Sequence, residues 1–65
     1  MKVQVNGVWH EVVSCEVASL LKELNYGDSV VATALNGVFV ATNSRAGAPV
    51  SDGDRLEVLA PMQGG

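Results

Sequence analysis

The sequence of 65 residues has few of the residues on which small domains often depend for stability or for chemistry. A single cysteine, Cys15, excludes an internal disulfide and any site that needs several cysteines. One histidine, His10, and scattered acidic residues provide neither metal-ligand spacing nor a base beside a nucleophile. We therefore expect no metal, no bound cofactor and no catalytic residue, an inert and semi-buried Cys15, and a reducing cytoplasm as the location.

Basic residues and long apolar runs are also scarce. Four Lys and Arg stand against seven Asp and Glu, which gives a net charge of −3 and a field that repels phosphate. The three aromatic residues stand apart, unlike a base-stacking platform. Because no run of about 18 apolar residues occurs, we expect no membrane span and no signal peptide. Nucleic acid and membrane are thus excluded as expected partners, and a basic patch on a partner protein suits the charge better.

Alternating apolar residues indicate strands on either side of tight turns. Residues 1–5 alternate, Asn6-Gly7 forms a favoured two-residue hairpin turn, and residues 8–13 form the predicted return strand. A second Asn-Gly pair at 36–37 joins predicted strands at 30–35 and 38–41.

Residues 42–59 are predicted to form a loop, a turn and a last strand. Small and turn-forming residues at 42–49 predict a surface loop. The Asp-Gly-Asp turn at 52–54 then leads into a last predicted strand at 55–59.

An apolar stripe with helical spacing separates the two hairpins. It consists of Val17, Leu20, Leu21 and Leu24, at positions i, i+3, i+4 and i+7. This pattern predicts about three turns of amphipathic helix. Ser14 is the predicted N-cap, with Glu16 in the first turn, and Asn25 and Gly27 are the predicted stops.

The order ββαβββ predicts an α+β fold, a ubiquitin-like β-grasp in which a mixed sheet of four to five strands packs on one main helix. The helical crossover allows the closing strand to lie parallel to the first strand at the centre of the sheet. Residues 1–60 form the predicted domain. Because Pro61 lacks a backbone donor and cannot lie inside a sheet, residues 61–65 are predicted to leave it as a flexible tail.

The tail ends in Gly64 and Gly65, which have no side chains and fit a narrow channel. Six extended residues reach roughly 20 Å, enough to enter a partner's active site while the domain docks outside. An activating enzyme would convert the Gly65 carboxylate into an acyl adenylate, with Gly64 threading the channel. Leu59 and Met62, beside the tail, are the expected partner contacts. The alternative interpretation is a frayed end.

The whole chain resembles the ThiS family, the ubiquitin-like sulfur carriers of thiamine biosynthesis. Five segments carry the resemblance: residues 1–7, 16–21, 35–40 and 52–58, and the final Gly64-Gly65. Residues 41–45 depart from it, because many relatives have Pro-Arg directly after the fourth strand.

The resemblance implies a carrier that is a co-substrate, not an enzyme. A ThiF-like adenylating enzyme would activate Gly65, a cysteine desulfurase system would supply sulfur, and the resulting thiocarboxylate would serve a ThiG-like thiazole synthase. The free carrier is expected to be a monomer. Three alternatives remain open: a MoaD-like sulfur carrier for molybdopterin, a ubiquitin-like modifier of lysines, and a regulatory β-grasp module that makes no use of the tail.

Overall fold

The computed structural model describes residues 1–27 and 29–60. These residues form a five-stranded sheet, one α-helix and one 3-10 helix, with the bounds β1 Lys2–Val5, β2 Val8–Glu11, α1 Val17–Glu23, β3 Ala32–Leu35, β4 Val38–Val40, 3-10 helix Thr42–Gly47 and β5 Arg55–Leu59. The strand order is β2-β1-β5-β3-β4. The central pair β1 and β5 is parallel, and the other pairs are antiparallel. The predicted ββαβββ order and mixed sheet are confirmed.

Both predicted Asn-Gly turns join their hairpins. Asn6 and Asn36 each have a φ of 51°, and the glycines that follow have φ values of 84° and 83°. Positive φ at both central residues is the type I′ geometry, whose twist matches that of the flanking strands. Asparagine and glycine adopt this conformation at little cost, which explains why the two hairpins form at these positions.

The helix packs on one face of the sheet. Val17, Leu20 and Leu21 are buried, as the stripe predicted, and Leu24 is partly buried against the same cluster. The sheet contributes the alternate residues of its two central strands, Val3, Val5, Leu56 and Val58. At roughly 1.5–3 kcal/mol for each buried side chain, this cluster is the main favourable contribution to folding.

The prediction that Ser14 caps the helix is wrong. The N-cap is Glu16, without a side-chain capping hydrogen bond, and the first turn contains no acidic residue. Residues before the helix are held extended, because Glu16 forms a bridge with Pro49 and the Cys15 carbonyl accepts a hydrogen bond from Val50 N–H at 2.9 Å. The helix therefore starts late and has seven residues, about two turns and not three.

Ser14 instead contacts the far end of the helix. Its hydroxyl donates to Glu23 Oε1 at 2.7 Å, and its N–H donates to the same oxygen at 2.9 Å. Val13 N–H lies 3.1 Å from Glu23 Oε2. The hydrogen bond from the Ser14 hydroxyl, followed by those from the two backbone groups, lowers the pKa of Glu23. Glu23 thus stabilises the connection between β2 and α1 through hydrogen bonds to Val13 and Ser14.

The helix ends at Glu23 with Leu24 as its C-cap, and the predicted stop residue Asn25 follows directly with a φ of 68°. Asn25 N–H donates to the Lys22 carbonyl and Tyr26 N–H to the Leu21 carbonyl, the two bonds of a Schellman motif. Neither described helix is long and apolar enough to cross a membrane.

The segment predicted as a loop at 42–49 contains the 3-10 helix Thr42–Gly47. Arg45 in this helix reaches back to the sheet: Nη2 donates to the Val31 carbonyl at 2.6 Å and Nε to Thr33 Oγ1 at 3.1 Å. Thr33, which is 2% exposed, donates in turn to the Val40 carbonyl. Arg45 therefore satisfies one acceptor on β3 and one on the residue directly before it, which explains why a short helix is ordered here.

Candidate functional site

Of the four residues that the sequence assigns to the carrier site, only Leu59 lies among the described residues. Gly64, Gly65 and Met62 lie outside them, as does the proposed tail at 61–65. Leu59 is the last residue of β5 and is 66% exposed. The described part of the site is therefore the surface around the end of this central strand.

Leu59 lies on the sheet face opposite the helix. Alternation along β5 buries Leu56 and Val58 against the helix and turns Leu59 outward. In the register of the sheet, Leu59 pairs with Ala32, and the neighbouring row runs from Phe39 through Ala34 to Glu57. Paired residues share a face, so these side chains lie together. We call this surface the outer patch; it comprises Ala32, Ala34, Phe39, Glu57 and Leu59.

The outer patch combines two large apolar side chains with two small ones. Phe39 is 69% exposed and stands on β4, whereas Leu59 stands on β5 at the end of the sheet. Between them, β3 presents only the methyl groups of Ala32 and Ala34. Two large exposed apolar side chains around small ones form the kind of surface that a protein partner covers.

The sequence interpretation missed every member of the outer patch except Leu59. One signal was available for Phe39: in Val38-Phe39-Val40, the register set by the Asn36-Gly37 turn places Val40 inward and Phe39 outward. The alanines and Glu57 carry no comparable signal, since only the pairing of β3 with β5 brings them beside Phe39.

The end of β5 is held on its other side by the first hairpin turn. Asn6 Nδ2 donates to the Val58 carbonyl at 3.0 Å, and Val58 N–H donates to Asn6 Oδ1 at 2.8 Å. The amide side chain thus continues the hydrogen bonding of β1 after that strand has ended at Val5. Because Val58 directly precedes Leu59, this contact orders the last residues of β5.

The other residues considered in the sequence do not join this site. Cys15 is exposed and not semi-buried, which corrects that expectation. His10 lies in β2 as expected, and residues 1–27 and 29–60 contain no group of three or more potential metal ligands. An open groove of about 510 Å³ is lined by Lys2, Trp9 and Asp52, among others, but it lies beyond the start of β5, at the opposite end of the sheet from Leu59.

Comparison with known proteins identifies the family. The sequence model of the ThiS family matches residues 3–65, nearly the whole chain. The chain belongs to the ThiS family. Comparison with curated proteins gave no match.

Two solved structures of ThiS-type proteins share the fold over the full chain. The crystal structure of the thiamine biosynthesis protein ThiS from Geobacter metallireducens is 32% identical, with both chains covered completely and a TM-score of 0.85. The solution structure of a thiamine biosynthesis protein from the same organism is also 32% identical, covers all of this chain and 88% of the other, and has a TM-score of 0.79. The β-grasp interpretation and the resemblance to the ThiS family are confirmed.

Proposed function

We propose that this ThiS-family chain carries sulfur for the synthesis of the thiazole of thiamine, in the cytoplasm. The Gly65 carboxylate attacks the α-phosphate of ATP in a ThiF-like adenylating enzyme, which releases pyrophosphate and forms an acyl adenylate. The terminal sulfur of a persulfide from a cysteine desulfurase system then displaces AMP to form an acyl disulfide, and a partner thiolate attacks the other sulfur of this bond, which releases the thiocarboxylate and leaves a disulfide on the partner. The resulting thiocarboxylate donates its sulfur to a ThiG-like thiazole synthase. The chain is a co-substrate and performs none of these steps with its own side chains.

The observation that carries this proposal is the match to the ThiS family through residue 65, which includes the Gly-Gly pair. Glycine leaves the carbonyl carbon of Gly65 unshielded and allows Gly64 to adopt conformations that other residues resist. The related Geobacter metallireducens proteins are described as thiamine biosynthesis proteins, which supports this pathway over molybdopterin synthesis.

The outer patch supports the same proposal as a docking surface. It lies at the end of the strand that leads to residues 61–65, so a partner seated on it holds the tail close to its own active site. From Leu59, six extended residues reach Gly65 over roughly 20 Å. Docking through Phe39 and Leu59, with Met62 as a further contact, would therefore place the carboxylate in a buried nucleotide site while the folded domain stays outside.

Removal of Gly65 tests the proposed chemistry. ATP–pyrophosphate exchange is measured with the ThiF-like enzyme for the wild type, for the chain shortened by Gly65, and for Gly64→Val. We expect exchange to collapse in both variants, because shortening withdraws the carboxylate by about 3.3–3.6 Å and valine introduces a β-branched side chain into the channel. Melting curves of all three proteins should coincide, since both changes lie beyond the packed domain.

The intact mass of the protein isolated from cells distinguishes the competing functions. A carrier gains the mass difference between sulfur and oxygen at its terminal carboxylate. A modifier of lysines instead appears in heavier isopeptide adducts. Exchange by the shortened chain at the wild-type rate would refute the proposal that Gly65 is the reacting residue.

A further inference from the structure

The outer patch contains one charged side chain, Glu57, at the β5 end of the row that begins at Phe39. Glu57 pairs with Ala34, which pairs in turn with Phe39, and Leu59 follows two residues later on the same face of β5. Among residues 1–27 and 29–60, no lysine or arginine nitrogen lies within 4.0 Å of the Glu57 carboxylate. Across β3 and toward Leu59 the neighbours of Glu57 are apolar, on its β1 side it shares an open groove with Gln4 and Asn6, and its carboxylate is exposed to water.

Arg55 is the cation nearest to Glu57 along the strand, and it does not neutralise the carboxylate. It lies two residues earlier on the same face, about 6.6 Å away at the rise of a strand. In the register it pairs with Gln4, toward the start of the sheet and away from Leu59. Glu57 shares its row with Phe39 and its strand with Leu59, so a partner that contacts both of these side chains also approaches Glu57, whereas Arg55 lies one row further away.

Covering Glu57 has an energetic consequence for any partner. A carboxylate removed from water without a counter-charge strongly opposes binding, whereas a charge-assisted hydrogen bond to a cation offsets the loss of hydration. The net charge of −3 already favours approach by a basic surface. The surface that best complements the outer patch is thus apolar and carries one cation.

We propose that the protein that docks on the outer patch presents a lysine or arginine side chain to Glu57 from within an apolar contact surface. This inference rests on the proposed function, because it takes the adenylating enzyme as the partner. It adds a determinant of partner choice: a surface of the same shape without the cation leaves Glu57 buried and unpaired, and is rejected.

Binding of the ThiF-like adenylating enzyme to four variants tests this inference by isothermal titration calorimetry at low and high salt. Glu57→Gln keeps the size of the side chain and removes its charge, and Glu57→Lys reverses it. Glu11→Gln and Glu11→Lys are the controls, because Glu11 is an exposed acid on the same sheet face, outside the outer patch, and its carboxylate lies 3.2 Å from the N-terminal amino group and not beside an apolar row. Melting curves establish that all four variants fold.

We expect Glu57→Gln to weaken binding at least about tenfold and Glu57→Lys to weaken it further, at both salt concentrations, because a desolvated pair is little screened. The Glu11 variants should change the affinity less than about threefold, and only at low salt. Replacing the partner's interface lysines and arginines by glutamate, one at a time, should identify one position at which Glu57→Lys restores binding.

Two results overturn the inference and leave the proposed function intact. The first is adenylation of the wild type together with equal affinity of Glu57→Gln, and the second is tighter binding by Glu57→Gln. In either case Glu57 serves only to keep the exposed sheet face soluble. If the wild-type chain is neither bound nor adenylated by the ThiF-like enzyme, the proposed function fails and this inference fails with it.

Discussion

Asn6 provides the sharpest test of how the strand beneath the outer patch is held. Its side chain makes two part-buried hydrogen bonds to the backbone of Val58, 52 residues away. Its backbone has a φ of 51°, a conformation that asparagine tolerates and alanine resists. Asn6→Ala therefore removes both hydrogen bonds and strains the turn, while it leaves the apolar core unchanged.

The expected loss follows from these two terms. Each hydrogen bond contributes about 0.5–1.5 kcal/mol net, and alanine in the left-handed region costs about 1–2 kcal/mol. We therefore expect Asn6→Ala to lower the free energy of unfolding by about 2–5 kcal/mol. Stabilities of roughly 0.05–0.15 kcal/mol per residue imply that a domain of this size has little more to lose. Asn6→Gly, which removes the hydrogen bonds without the strain, should lose about 1–3 kcal/mol.

Asn36 supplies a matched control. It occupies the equivalent turn position with the same φ of 51°, but its hydrogen bonds to Arg55 N–H and to Asp54 Oδ1 are exposed. Water replaces exposed hydrogen bonds at low cost, so Asn36→Ala should lose about 1 kcal/mol less than Asn6→Ala. Urea denaturation measures all of these losses. Equal losses at the two positions, or a loss below about 0.5 kcal/mol for Asn6→Ala, would refute the bridging role assigned to the Asn6 amide.

Three further predictions concern other contacts. The pKa of Glu23 is lowered on folding, so the carboxylate stabilises the domain at pH values above its usual pKa of 4.5, and this stabilisation disappears as the pH falls through the lowered pKa of the folded state. The advantage of the wild type over Glu23→Gln in urea titrations should therefore vanish on acidification. A difference that stays constant with pH would contradict this. Arg45→Ala should destabilise the domain by about 1–3 kcal/mol, with Arg45→Lys intermediate, because lysine lacks the second donor directed at Val31. Equal stability of all three proteins would show that the hydrogen bonds of Arg45 to Val31 and Thr33 do not stabilise the domain. Cys15→Ser should leave thiocarboxylate formation unchanged by intact mass, because the proposed chemistry uses only the carboxylate of Gly65.

The turns and the core follow directly from local sequence. Asn6-Gly7 and Asn36-Gly37 form type I′ turns because only residues that accept positive φ fit both central positions. Val17, Leu20 and Leu21 are buried because a single helical stripe has one sheet to cover it. These features depend on residues close together in the chain, which is why their pattern predicts them.

The start of the helix was predicted wrongly because a distant residue competes for the capping group. Ser14 has the side chain of an N-cap, but Glu23 accepts both its hydroxyl and its N–H. Pairing of Glu16 with Pro49 keeps the preceding chain extended. The 3-10 helix at Thr42–Gly47 also depends on distant residues, because Arg45 donates to Val31 and Thr33, at the start of β3, and not to acceptors within its own segment.

The order of the elements, the two turns and the inward face of the helix can be predicted from residues that are close together in the chain, and the Gly64-Gly65 pair on which the carrier proposal depends is read directly from the sequence. The outer patch cannot be predicted in this way, because Phe39, Ala34 and Glu57 become neighbours only through the register of β4, β3 and β5. Register depends on which strands pair across the sheet, and β5, the last strand in the chain, pairs between β1 and β3. Phe39 and Glu57 lie in separate segments of the chain and carry no signal of a shared surface in the sequence. They form one surface only because strand pairing places them in the same row.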